Sequence, residues 1–261
     1  MFKKLEKYRK ISTVLAAAFV LSFAGTGSSL AASNSAATGP ALDLMTKEQA
    51  VTTPTAYQGD VNTLQAAKEA SQLLVMVGNE ADPAKGTLTW YQRDAEGLLK
   101  PILSMEAVSG MNGITTEKQE GDMKTPAGVY SFSMAFGMKE NPGAILPYHQ
   151  VVEGDHFVDD SASRYYNRLV NEKEVEKDWN SSEVLIRQAP HYNYALVLNY
   201  NEACVPGKGS AIFLHCPKIA NNTGTSGCIS VQEEQMKQIL CSVDAATKIV
   251  VVQKEADLAS Y

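Results

Sequence analysis

Thr223-Gly224-Thr225-Ser226-Gly227-Cys228-Ile229-Ser230 puts a thiol on a glycine-containing turn, immediately before a stretch with helical periodicity. Ser230 reads as an N-cap and Glu233 completes a capping box. Val231, Met236, Ile239, Leu240 and Val243 then fall largely on one face, so a helix is expected from Val231 to Val243. A helix N-terminus just beyond Cys228 would lower the thiol pKa and favour the nucleophilic thiolate. Gly227 lets the backbone approach a substrate closely, and the turn's N–H groups can face a developing oxyanion. Upstream, Ser210-Ala211-Ile212-Phe213-Leu214 reads as a strand that ends in His215, a base placed to take the thiol proton and return it to a leaving amine. A backbone carbonyl near Cys216 or Pro217 could fix the imidazole tautomer. Taken alone, each residue has a plainer reading: a small buried apolar cysteine and a hydrogen-bonded core histidine. His191, the rival base, lies between Pro190 and Tyr192 and reads as loop.

Strand signals extend outward from this pair. Leu73–Val77, Leu88–Tyr91, Val129–Phe132, Tyr194–Tyr200, Ala211–His215 and Ile249–Val252 are short apolar or alternating runs bounded by turn residues. With few helical patterns beside them, the fold class is mostly β (α+β). Residues 137–190 are polar and turn-rich and are expected to be irregular, with at most a short helix. Asp60 could cap a short helix over Val61–Ala70, preceded by a proline-containing linker from Ser33 to Gly59. The expected layout is a signal peptide over 1–32, a linker and short helical segment over 33–72, a folded domain over 73–253 and a tail over 254–261.

The first residues carry a basic opening (Lys3, Lys4, Lys7, Arg9, Lys10), an apolar run from Val14 to Ala24 and a small-residue exit to Ala32. That run is shorter than the ~20 residues of a membrane-spanning helix. It reads as a cleaved export signal, with an uncleaved anchor as the alternative. The full chain has 23 basic and 29 acidic residues, net −6, and loss of residues 1–31 leaves net −10. Nucleic acid and anionic membranes are therefore poor partners, and no stable membrane span is expected after cleavage. Cys204, Cys216, Cys228 and Cys241 lie close together in sequence. Outside the cytoplasm they could form disulfides, and at most one if Cys228 is a nucleophile. A zinc site using His215-Cys216 is the third option, but no Cys-x-x-Cys is present and adjacent strand residues point to opposite faces, so no metal is expected; no cofactor is expected either.

The stretch resembles the L,D-transpeptidase (YkuD-type) catalytic domain, with a strand-end histidine, a loop, and Ser/Thr-x-Gly-Cys-apolar followed by a polar residue. Here these are His215 and Thr225-Ser226-Gly227-Cys228-Ile229-Ser230. Similarity continues through Glu120–Tyr130, Tyr165-Tyr166-Asn167 and Gly209–His215, and covers roughly residues 73–253. The resemblance implies a β-sandwich of mixed sheets with a helix after the cysteine. It also implies a cysteine acyltransferase of the cell wall. Cys228 would attack the bond before a terminal D-alanine in a stem tetrapeptide, form a thioester, and pass the acyl group to an acceptor amine. It further implies peptidoglycan stem peptides as partners, a carbapenem adduct, and work in the cell wall or periplasm. Catalytic roles carry over to Cys228, His215, Ser226 and Gly227, and substrate contacts to Thr225 and Lys124. The chain departs from the family at Ser226, where many members have histidine, and at Ser230, where many have arginine or asparagine. Its histidine-to-cysteine loop of 12 residues looks short. A hydrolase on the same fold and a non-catalytic, disulfide-bonded wall protein are the alternative readings.

Overall fold

A computed structural model describes residues 57, 59–217 and 223–261. The expected export signal and most of the linker lie outside the described residues. Strands β1 (Gln72–Gly78), β2 (Lys85–Arg93) and β3 (Leu99–Val108) form the first meander. Two short strands, β4 (Ile114–Thr115) and β5 (Thr125–Pro126), pair with each other, and β6 (Gly128–Gly137) and β7 (Tyr148–Gln150) follow. Strands β8 (Asp155–Val158), β9 (Leu169–Asn171) and β10 (Ser182–Val184) make a separate three-stranded sheet. Strands β11 (Ala195–Leu198), β12 (Phe213–His215), β13 (Ile229–Ser230) and β14 (Lys248–Val252) complete the set. The α-helices are α1 (Gln65–Glu69) and α2 (Glu233–Leu240).

The main sheet runs β11-β12-β13-β3-β2-β1-β14-β6-β7, and β6 also pairs with β11. That extra pairing closes the sheet around one core and leaves β7 outside the ring. The sheet is mixed: β1–β14, β12–β13 and β6–β7 are parallel and the other pairs antiparallel. The fold is therefore mostly β with mixed sheets, as the strand patterns imply. Because side chains alternate along a strand, each strand divides its apolar residues between two sides. Leu74, Met76, Leu88, Met105, Leu196, Leu214, Ile229, Ile249 and Val251 face the shared core, joined by Met236, Ile239 and Leu240 of α2. Two further clusters cover the other side. At one end, Leu73, Val75, Tyr91, Val250 and Val252 pack under Val61, Leu64, Ala67 and Leu258. At the other, Phe136, Ala195, Val197, Phe213 and Cys228 pack under Phe157, Leu185 and Tyr192.

Three departures from the sequence reading have physical causes. Strand β3 was not expected; Pro101 interrupts its pattern and weakens a strand signal. The chain accommodates that proline at a bulge, where the register shifts between Trp90↔Leu103 and Tyr91↔Pro101. The expected helix from Val231 with a Ser230 cap is corrected to Glu233–Leu240. Its N-cap is Gln232, which makes no side-chain cap bond. Ser230 instead lies in β13 opposite His215 and Val108, and the Val231 N–H bonds the His215 carbonyl. The backbone is committed to the sheet there and cannot turn into a helix. Residues 137–190, expected to be irregular, hold β7 to β10; cross-strand pairing there is between distant segments and leaves little local periodicity. The short helix near Asp60 forms as a 3₁₀ turn, Val61–Thr63, capped by the Asp60 carboxylate, followed by α1.

Candidate active site

The cysteine loop is held from three sides before any chemistry is considered. Gly110 and Thr225 form a parallel bridge, with Met111 N–H donating to Thr225 O and Thr225 N–H donating to Ser109 O. The Thr225 hydroxyl donates to the Cys228 carbonyl at 2.6 Å and accepts from Gly227 N–H at 3.1 Å. The Thr125 hydroxyl adds a longer bond to the same carbonyl, 3.3 Å, and accepts from Gly110 N–H at 2.8 Å. Gly227 has φ 147°, and a Cβ there would stand 3.0 Å from the Lys124 carbonyl and 3.3 Å from the Ile212 side chain. Only glycine suits that position.

Cys228 is buried, 6% exposed. Its thiol donates to Ala211 O at 3.1 Å and accepts from Phe213 N–H at 3.3 Å. The parallel register Leu214↔Ile229 and His215↔Ser230 places Cys228 beside Phe213, on the face that also carries His215. Strand spacing and rise put the Cys228 and His215 backbones about 8 Å apart. His215 Nδ1 lies 2.6 Å from the Cys216 carbonyl. A carbonyl can only accept, so Nδ1 carries the proton and Nε2 keeps its lone pair. This is the orienting carbonyl anticipated near Cys216.

Both groups rest uncharged. Burial lowers the His215 pKa to about 4; the Cys216 bond opposes this and His191 adds to it. Burial also pushes the Cys228 thiol up, Glu183 adds to that, and the Phe213 N–H and Lys118 pull the other way. The expected thiolate at a helix N-terminus is thus corrected to a neutral thiol. The helix begins at Glu233, beyond the β13 strand, and desolvation dominates.

Among the surrounding residues, Tyr192, Glu183 and Lys118 carried no sequence signal of their own. The Tyr192 ring lies edge-on to His215, with centroids 5.4 Å apart, and its hydroxyl donates to Glu183. His191, read as loop, stands 5.7 Å from the His215 ring, and its carbonyl accepts from Cys216 N–H. Lys118 has a side chain only 4% exposed and is ion-paired with Asp122 at 2.5 Å. Its Cε lies 3.6 Å from where a Gly227 Cβ would be. The segment from Lys118 to Pro126 therefore packs on the cysteine loop, and its cation against Gly227 is Lys118. Lys124 is half-buried and offers its carbonyl to that contact. Ser226 is exposed at the loop's tip. Thr225, expected to touch substrate, uses its hydroxyl within the loop, and Gly227 N–H is likewise engaged rather than turned to an oxyanion. The Tyr166 hydroxyl donates to Glu120 at 2.5 Å and accepts from Gly209 N–H at 3.0 Å. All four cysteines are free thiols.

Comparison with known proteins follows the same line. The family profile for the L,D-transpeptidase catalytic domain (YkuD) matches residues 80–251. Among solved structures, Bd1075 of Bdellovibrio bacteriovorus is 15% identical, with 76% of this chain and 57% of that one covered and a TM-score of 0.40. The helical cell shape determining protein Pgp2 of Campylobacter jejuni is 16% identical, with 70% and 49% covered and a TM-score of 0.37. An L,D-transpeptidase (Yku) of Stackebrandtia nassauensis is 14% identical, with 76% and 62% covered and a TM-score of 0.36. The chain thus spans about half to three fifths of the length of these three structures. A search of curated proteins finds no match. With its profile match extending over most of the chain, the protein belongs to the L,D-transpeptidase (YkuD) catalytic domain family.

Proposed function

We propose that the protein is an exported peptidoglycan L,D-transpeptidase in which Cys228 is the nucleophile and His215 the base. The observation that carries this reading is the shared face of β12 and β13. There a thiol one residue before β13 and a neutral imidazole at the end of β12 share a face, with Nδ1 fixed by Cys216 and Nε2 left to accept. The thiol gives up its bond to Ala211 and passes its proton to Nε2. Sulfur then attacks the carbonyl preceding the terminal D-alanine of a stem tetrapeptide. The imidazolium returns the proton to the leaving amine, D-alanine departs, and a thioester remains. An acceptor amine from a second stem resolves it, with its surplus proton taken by His215, so the acyl bond energy is conserved without ATP. Proton transfer from a neutral thiol to a neutral base creates two charges in a dry site, so it is driven when substrate is in place rather than beforehand.

In this reading residues 1–32 direct export, 73–253 hold the catalytic domain, and the short helical segment that ends the 33–72 stretch packs on it together with Leu258 of the 254–261 tail. Among the described residues no helix is long and apolar enough to cross a membrane. Ser226, exposed beside Gly227, is left to meet substrate at the loop's tip, with Lys124 at its flank. The test is mass spectrometry of the purified protein after carbapenem treatment, with peptide mapping. An adduct on Cys228 that is absent from Cys228→Ala supports the assignment, and an undiminished adduct on that variant removes it. Incubation with tetrapeptide fragments then separates cross-linked dimer, the mark of transfer, from tripeptide alone, the mark of a hydrolase.

A further inference from the structure

Glu183 and Tyr192 stand next to the cysteine and histidine without belonging to the proton path above. We propose that the hydrogen bond from the Tyr192 hydroxyl to the Glu183 carboxylate is a positioning device for His215, in which the acceptor atom and not the negative charge is what matters. This rests on the reading of His215 as base.

Geometry comes first. Tyr192 is buried, and its ring meets Phe136 at 5.4 Å, Phe213 at 5.6 Å and His215 at 5.4 Å, each nearly edge-on. A ring in that position forms one wall of the imidazole's slot, with His191 on another side and the Cys216 carbonyl fixing Nδ1. The phenol is anchored at its far end by Glu183. Glu183 belongs to β10 and lies opposite Phe157 of β8, which in turn packs on Phe213 at 4.8 Å. The three-stranded sheet therefore reaches into the site wall through one apolar contact and one hydrogen bond.

Energetics make the bond informative. Glu183 is half-buried, and a carboxylate withdrawn even partly from water carries a cost that phenylalanine or leucine would not. Its charge does not help the thiol, because a negative Glu183 opposes ionisation of Cys228. Charge is in fact discouraged at Glu183: burial raises its pKa, the Tyr192 hydroxyl opposes this, and Asp159 adds to the rise. On the other side of the thiol Lys118 favours ionisation. What remains for Glu183 to supply is an oxygen that holds the phenol, which glutamine can also supply.

The test compares the parent with Glu183→Gln, Glu183→Leu and Tyr192→Phe. Two readouts are taken: the second-order rate of carbapenem acylation across pH, and the ¹⁵N imidazole signals of His215 by NMR. Tyr192→Phe and Glu183→Leu are expected to slow acylation at least tenfold at pH 7 and to mix the His215 tautomers. Glu183→Gln is expected to stay within threefold of the parent, to keep a single tautomer, and to move the thiol limb to lower pH. Parent-like rates and tautomers in both Tyr192→Phe and Glu183→Leu overturn the proposal, as does Glu183→Gln behaving like Glu183→Leu. Tyr192→Phe, nearly isosteric, keeps the test decisive if Glu183→Leu does not fold. Should the parent take no adduct at all, the transpeptidase reading fails, and the NMR comparison alone still decides whether Glu183 and Tyr192 set the imidazole.

Discussion

The outer side of the main sheet is covered twice, and the two covers differ. At one end Leu73, Val75, Val250 and Val252 pack with apolar residues of 61–70 and with Leu258. At the other the same alternation turns Phe213 and Val197 to the outer side, but Cys228, His215 and Tyr192 are buried with them, and the half-buried Glu183 holds the Tyr192 hydroxyl. The first cover stabilises. The second gives up some of that stabilisation to keep a thiol and an imidazole dry and neutral. The difference shows that the site is a local departure from an otherwise ordinary apolar interface, and that desolvation sets its resting protonation.

The comparison can be broken most sharply by removing the base. His215→Gln should slow carbapenem acylation by roughly 10²–10⁴-fold, about 3–5 kcal/mol of barrier, while leaving the urea midpoint at pH 7 close to the parent's. A parent-like acylation rate would mean that another group takes the proton. The complementary change on the apolar cover, Leu73→Ala, should lower unfolding stability by about 3 kcal/mol through lost burial and a residual cavity. Acylation per folded molecule should hold; urea denaturation and active-site titration on one sample check both halves. If acylation fell in step with stability, the two covers would not be independent.

Acid should distinguish them as well. Burial holds the folded His215 pKa at about 4, against an ordinary 6.5 for a solvated histidine. Below pH 6.5 the unfolded chain takes up the proton first, and the folded chain follows only near pH 4. Stability therefore falls as pH drops through that window, by up to about 3 kcal/mol, and is unaffected at pH 7 and above. Urea titrations at pH 7 and pH 4.5 should show a loss in the parent that is smaller by about 2 kcal/mol in His215→Gln. An equal loss in both proteins would place the histidine in contact with water. The smallest effect is expected in the loop. Thr225→Val removes a hydroxyl that serves both Gly227 and Cys228 and should cost about 1–2 kcal/mol of stability. A comparable slowing of acylation should accompany it, measured as the same adduct rate.

Much of this was legible in the residues. The unbroken apolar runs Leu73–Val77 and Ile249–Val252 announced strands, and Gly227-Cys228 with His215 announced the pair. Strand β3 was obscured by Pro101, and β8 to β10 by their dependence on partners far away in the chain. The capping signal at Ser230 misled because a local preference of about 1 kcal/mol competes with sheet pairing to His215 and Val108. Glu183, Tyr192 and Lys118 could not be singled out, since a glutamate, a tyrosine and a lysine in polar segments carry no period and no motif.

By itself the sequence determined the strand-forming segments, the candidate nucleophile and base, and the glycine that the tight turn demands, because each of these depends on neighbours along the chain. Only the tertiary structure decided how those groups are protonated. Ionisation depends on what is removed from water and what is brought near, and here β10, the segment before β11 and the turn at Lys118 arrive from three separate parts of the chain to enclose one sulfur and one imidazole.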